Sequence, residues 1–352
     1  MVSYYSMIRH TCTASNARFA HLPWRAVPGS AVECCEKRSS RRKNFPLLVI
    51  LSLFFWGCSP ATPPATASTQ TQTTPDPVIE ATSLPPTATA IPKEAKDVLN
   101  AQYQLGATDA LKVVQLKDGK FEQGTSGSED FISVVVTDFV AVGDLNADDT
   151  NEVAALVSEN YGGSGVFVFL AVYANANGTL TFQTSTMVDD RPQLNELSIR
   201  NGEIFLDAVI HGADEPMCCP TLKTTRDYRL IDNQLDMVDY ITFTSDGKPR
   251  KITIEAPATG TEVFSSVPIK GKVAIAPFEN NLAYRIYDVS GIELSAGPIS
   301  VSAPDPGAPG TFDALIPLGK VLSGALIRIE VQDLSAKDGS LLAMDSVELV
   351  VK

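Results

Sequence analysis

The sequence predicts an all-β protein in which one β-rich unit is followed by a second, shorter one. Three observations point that way. Between Leu111 and Ile231 there are repeated runs rich in Val, Ile, Phe, Thr and Tyr, residues that suit a pleated, half-buried surface. Those runs are separated by Asp118-Gly119, Asn177-Gly178, Asn201-Gly202 and Asp232-Asn233, dipeptides that tolerate the positive φ angles of tight hairpins. Only residues 92–102 suggest a helix, and a short one.

From the N-terminus, the first feature is an export signal. Residues 45–56 (FPLLVILSLFFW) are almost unbroken apolar sequence. A membrane-crossing helix needs about 20 such residues, whereas the apolar centre of a signal peptide takes roughly 7–15. Lys37, Arg38, Arg41, Arg42 and Lys43 supply the positive flank that stays cytoplasmic. Directly after the run, Phe55-Trp56-Gly57-Cys58 resembles the bacterial lipobox, in which a small residue precedes a cysteine that receives diacylglycerol. Phe55 and Trp56 are bulkier than that pattern usually has. The resemblance implies lipidation at Cys58 and a tether on the extracytoplasmic face of the cell membrane, or on the outer membrane. An uncleaved anchor or an ordinary secreted protein are the alternatives. The residues before the basic flank show no hydrophobic period, and we expect translation to start at Val32 from a non-standard codon. Residues 1–57 are therefore set aside as signal peptide with an N-terminal extension.

Those residues hold eight Lys/Arg and two Asp/Glu, so the rest of the chain carries 20 basic and 39 acidic side chains, a net charge near −19. Such a surface repels polyanions and excludes a nucleic-acid role, which needs clustered Lys and Arg. Residues 58–96 follow Cys58 with a tract dominated by Thr, Pro and Ala and free of aromatics. It cannot bury enough apolar surface to offset the entropy of ordering it, and its prolines favour extended conformers. A disordered stalk behind a lipid is the expectation.

Residues 97–245 form the first folded unit, with strands expected at 111–116, 131–142, 152–157, 165–173, 180–187, 203–210 and 224–231. Its topology is not readable from the sequence. Residues 249–352 follow with a shorter rhythm: apolar runs at 251–255, 267–274, 283–289, 315–317 and 326–331, divided by Gly, Pro, Asp and Ser, and a final strand at 345–351. Some seven strands in about 100 residues predict an immunoglobulin-like sandwich. The order of short motifs sharpens this: Ile252-Thr-Ile-Glu-Ala-Pro257, Val267-Pro-Ile-Lys-Gly271, Tyr284-Arg-Ile-Tyr-Asp-Val-Ser-Gly291, Asp305-Pro-Gly307 with Phe312, then Ser335-Ala-Lys-Asp-Gly339-Ser340. This segment resembles the immunoglobulin-like domain of bacterial spore-germination proteins, which many envelope proteins of other bacteria also carry. The resemblance implies an extracytoplasmic, non-catalytic interaction or structural module, but it does not supply a ligand.

Two clusters could carry chemistry. In Asp144-Leu-Asn146-Ala-Asp148-Asp149-Thr-Asn151-Glu152, oxygen-bearing side chains at alternate positions can wrap a hard cation. The loop resembles the calcium loops of integrin-type propeller repeats, with Asp144, Asn146, Asp148 and Glu152 as the ligands that the likeness implies. It departs from them in having Asp149 where Gly is usual and Glu152 as the last acid, and in occurring once. The alternative is an acidic turn whose side chains cap their own backbone. The second cluster is His211 with Cys218 and Cys219, the only cysteines after Cys58. Adjacent Cα atoms lie about 3.8 Å apart, below the usual disulfide range, so a bond between them is strained even where an oxidising envelope favours it. A stapled loop is the plainer expectation, and a zinc, redox or Cys-His nucleophile site the sharper one. Gly162-Gly-Ser-Gly165 is followed by a strand and lacks a phosphate loop's Lys and helix, so a hairpin turn is expected.

The reading is thus a surface-tethered bacterial lipoprotein with a non-catalytic binding or envelope-structural role. Its expected partners are a membrane through the lipid and a protein or envelope polymer. The alternatives are a Cys/His-based enzyme or redox protein using His211, Cys218 and Cys219, and an extracellular proteinase inhibitor.

Overall fold

A computed structural model of the chain describes residues 92–107, 112–176, 179–319, 321 and 323–352. The signal segment, Val32, Cys58, most of the stalk and the Asn177-Gly178 turn lie outside the described residues. The fold is nearly all β, with antiparallel sheets. A 3₁₀ helix, Lys93–Asn100, stands where the sequence suggests a short helix.

The upstream strands are β1 (Gln102–Gln104), β2 (Val113–Gln115), β3 (Lys120–Gln123), β4 (Ile132–Gly143), β5 (Glu152–Asn160), β6 (Phe167–Ala176) and β7 (Thr179–Asp190). They continue with β8 (Gln193–Arg200), β9 (Glu203–Ile210), β10 (Leu222–Ile231) and β11 (Gln234–Phe243). Strands β3 to β7 make one antiparallel sheet in sequence order, and β8 to β11 form a meander that packs against it. The sequences of β5 and β6 are nearly continuous in apolar residues because both faces are covered. Val153, Ala155, Val157 and Tyr173 lie in one core with the 3₁₀ helix and β1–β2. Ala154, Leu156, Leu170 and Val172 lie in another with Ile204, Leu206 and Tyr228.

The N-terminal cap is pinned by a buried carboxylate. Glu159 accepts hydrogen bonds from the Tyr103 hydroxyl at 2.6 Å, the Tyr161 hydroxyl at 2.5 Å, and the Gly106 and Ala107 N–H groups at 2.7 and 3.1 Å. Four donors offset the cost of burying it. Burial first, and the neighbouring carboxylate second, push the Tyr103 hydroxyl up, so it remains a donor.

The downstream strands are β12 (Pro249–Arg250), β13 (Ile252–Ala256), β14 (Glu262–Val263), β15 (Ser266–Val273), β16 (Asn281–Asp288), β17 (Glu293–Ser302), β18 (Gly310–Pro317), β19 (Leu326–Leu334) and β20 (Leu341–Val351). Seven of them form the sandwich, β13-β15-β18 facing β17-β16-β19-β20 across a core that includes Ile269, Ile286, Ile329 and Leu349. Gly271 sits where the layers are tightest: a Cβ there would lie 2.2 Å from the Thr253 carbonyl oxygen and 2.4 Å from the Phe312 ring.

The sheet does not stop at β20. Asp239, Tyr240 and Ile241 of β11 pair antiparallel with Asp345, Met344 and Ala343, so β20 is bonded to β11 on one side and β19 on the other. The Thr242 hydroxyl donates to the Leu342 carbonyl at 2.6 Å, and the Ser346 hydroxyl to the Val238 carbonyl at 2.9 Å. Arg328 of β19 reaches back to donate to the Met237 carbonyl at 3.3 Å and pairs with Asp236 at 3.4 Å. A sandwich edge that would otherwise expose unpaired backbone is thereby covered.

Candidate functional site

The acidic loop joins β4 to β5. Asp144 Oδ1 accepts from the N–H groups of Asn146 and Ala147, and Oδ2 from that of Asp149. Asn146 caps Asp148, and Asp148 caps Thr150, in the same manner. Ala147 and Asp149 take φ values of 61° and 65°, the left-handed turn for which glycine is usual and Asp is tolerated. Glu152 is buried and accepts from the Leu145 N–H at 2.8 Å. Burial, reinforced by Asp148 and Asp144, pushes its carboxyl up, while the Leu145 N–H opposes. Desolvation pushes Asp144 up as well, but the surrounding N–H groups outweigh it and hold the carboxyl below its ordinary range. The four expected ligands thus come together around backbone donors. Among the described residues no group of three or more His, Cys, Asp or Glu side chains is placed to hold a metal ion.

The loop from His211 to Thr221 links β9 to β10. Cys218 and Cys219 are bonded to each other at its exposed tip. Glu215 ties the loop base, accepting from the Gly212 N–H at 3.1 Å, the Thr221 N–H at 2.8 Å and the Thr221 hydroxyl. That hydroxyl first, then the two N–H groups, hold its carboxyl below the ordinary range. His211 turns inward, its backbone N–H and Nδ1 both within 2.9 Å of Asp189 Oδ2. The structure therefore gives His211 a carboxylate partner on β7, and places the sulfurs at the loop's tip. Gly162 and Gly163 lie in the β5–β6 connection, the hairpin turn expected of them.

Behind His211 lies a pocket of about 490 Å³, walled by β7, β9, β10, β11 and the start of β20. Ile210, Leu222, Leu235, Met237 and Leu341 make its apolar wall. Tyr228 and Tyr240 are buried aromatics beside Arg226. The guanidinium of Arg226 sits 5.6 Å from the Tyr240 ring centroid, and its Nη1 donates to the Val188 carbonyl at 3.2 Å and the Tyr228 hydroxyl at 3.4 Å. Arg226 is 6 % exposed and makes no ion pair among the described residues.

Ser340, Leu341 and Leu342 close the pocket from the downstream side. Ser340 ends the Ser335-Ala-Lys-Asp-Gly-Ser340 turn, which Asp338 caps by accepting from the Ser340 N–H and hydroxyl, and Leu341 and Leu342 follow it. Lys337 of that turn pairs with Asp214 of the His211 loop. The pocket thus lies where the two β-rich parts meet, a common place for ligand sites.

Of the pocket residues, the sequence singles out His211 alone. Arg226, Asp189, Tyr228 and Tyr240 are not flagged by it. The signal that could find Arg226 is parity: Thr224, Arg226 and Tyr228 share one face of β10, and all three are buried.

No curated protein matches the chain. Residues 251–340, which hold six of the sandwich's seven strands and the capped Ser335–Ser340 turn, match the family described as the immunoglobulin-like domain of bacterial spore germination.

Proposed function

We propose that the chain is a surface-tethered, non-catalytic binding protein of the bacterial envelope, in which the upstream β unit and the immunoglobulin-like sandwich act as one rigid body. The observation that carries this reading is the pairing of β11 with β20. A backbone ladder, reinforced by Thr242, Ser346 and Arg328, fixes the two parts relative to each other. Such a body presents a fixed surface and a preformed pocket, which suits recognition. The family of residues 251–340 supports an interaction or structural role. The bond between Cys218 and Cys219 favours recognition over thiol chemistry as well, since neither sulfur is a free thiolate. The tether is read from the apolar run and Gly57-Cys58, and the expected partners are a protein or an envelope polymer outside the membrane.

Fractionation of cells expressing the full chain tests the tether. The wild type is expected to sediment with membranes and to incorporate labelled fatty acid, while Cys58→Ala loses the label. A wild-type protein recovered unlabelled in the soluble fraction would remove the tether from the reading.

A further inference from the structure

The guanidinium of Arg226 poses a problem of charge. A buried cation is normally paired with an acid, because leaving it unpaired away from water is costly. Arg226 is 6 % exposed, its hydrogen-bond partners are the neutral oxygens of Val188, Tyr228 and Tyr240, and its Nε has no partner. The carboxylate of Asp189, on β7 of the other sheet, is engaged by His211. The side chain of His211 is 7 % exposed, and its Nε2 also lacks a partner. The side chains of Arg226 and His211 line one pocket, each keeping one buried nitrogen without a partner, and the rest of the lining is largely aliphatic and aromatic.

We infer that this pocket binds a monocarboxylate carrying a short apolar body, with the carboxylate on Arg226 and the body against Leu222, Leu235, Met237 and Leu341. One guanidinium balances one negative charge. A dianion would leave a charge uncompensated beside Asp189, which argues against phosphate. A carboxylate takes guanidinium N–H groups in the fork geometry that suits both partners. The volume of about 490 Å³ is within the usual range for small-molecule sites. Met187, 48 % exposed at the rim, marks the entrance. The same chemistry has two sources, a free carboxylic acid and the C-terminal carboxylate of a peptide.

The site rests on the binding role proposed for the chain, but it fails separately from the tether, since titration does not depend on fractionation. Calorimetric titration of the full chain in non-ionic detergent uses four probes: 4-methylpentanoate, 4-methylpentanamide, acetyl-Ala-Leu with a free carboxylate, and inorganic phosphate. At least one of the two carboxylates is expected to bind, with the amide weaker by about tenfold or more. Preference for the dipeptide over 4-methylpentanoate points to a peptide end, and the reverse to a free acid. Arg226→Gln is expected to remove the preference for acid over amide. Met187→Trp, which changes an exposed rim residue and leaves the fold in place, is expected to weaken carboxylate binding by about tenfold with an unchanged Tm. If Arg226→Gln does not fold, the rim variant still decides. The inference is overturned if amide and acid bind alike, if phosphate binds in place of both carboxylates, if neither carboxylate binds, or if binding is untouched by Met187→Trp.

Discussion

Asp144 accepts three backbone N–H groups from the loop that it opens, so both its oxygens are already committed to the fold. Removing them leaves the turn's donors to water and frees a left-handed segment at Ala147 and Asp149. Asp144→Ala should therefore lower the Tm by a few degrees, and by the same amount in excess calcium as in chelator. If calcium raises the wild-type Tm and not the variant's, the loop is a cation site and its backbone caps are secondary. Because the Asp144 carboxyl is held below its ordinary range, its contribution is present above that range and is lost as pH falls through the lowered value. The acidic loop is legible in sequence because the spacing of Asp, Asn and Asp is local. Arg226 is not, because Leu222-Lys-Thr-Thr-Arg226-Asp-Tyr228 alternates as a half-exposed strand does. What buries its guanidinium is supplied from β7, 38 positions away at Val188, and from the Tyr240 ring across the β10–β11 hairpin. His211 stands out by rarity, yet its partner Asp189 lies 22 positions away and carries no local mark.

Turns and buried strands are the elements that the sequence specifies best. Asp118-Gly119, Asn201-Gly202 and Asp232-Asn233 all adopt positive φ at both positions, as tight hairpins require. The strands that go unread are those with mixed faces. β8 (QLNELSIR) and β11 (QLDMVDYITF) carry acids and amides along the strand, and β17 (ELSAGPISVS) contains Gly297-Pro298. That glycine has a physical reason, since a Cβ at 297 would lie 2.7 Å from the Tyr284 ring. The acids of β11 matter at its junction with β20, where Asp239 stands directly opposite Asp345. Like charges in register oppose pairing. Burial first, then Asp345 and Asp227, push the Asp239 carboxyl up to about 7, with Lys251 opposing. The raised value means that the protonated acid contributes stability below the ordinary carboxylate range, and that this is lost as pH rises through about 7. Asp239→Asn should then stabilise the protein at pH 8 by on the order of 1 kcal/mol and flatten the dependence between pH 5 and 8. Denaturant melts of both proteins across that interval check it, and an unchanged slope in the variant would assign the dependence to other groups.

The consequence for the whole molecule is cooperativity. Were the upstream unit and the sandwich independent, each with its own core, they would unfold separately. The ladder between β11 and β20 makes loss of either part expose backbone and side chains of the other: Thr242 and Ser346 lose their carbonyl partners, and the buried Arg328 loses Asp236 and the Met237 carbonyl. Arg328 keeps Glu330 of its own strand, 3.4 Å away, so what separation costs is the ladder and these hydrogen bonds, each about 1 kcal/mol. The pocket is divided in the same way, with Arg226 and His211 on one side and Leu341 and Leu342 on the other. A single transition is therefore expected for residues 92–352, with a calorimetric enthalpy near 60 °C of about 180 kcal/mol at about 0.7 kcal/mol per residue. Independent units would instead give two transitions of roughly 110 and 70 kcal/mol on the same scale. Scanning calorimetry of the full chain distinguishes these, and agreement between the calorimetric and van't Hoff enthalpies is the decisive sign. Two resolved transitions would mean that the ladder aligns the units without coupling them, and a pocket spanning both would open whenever the weaker one melts.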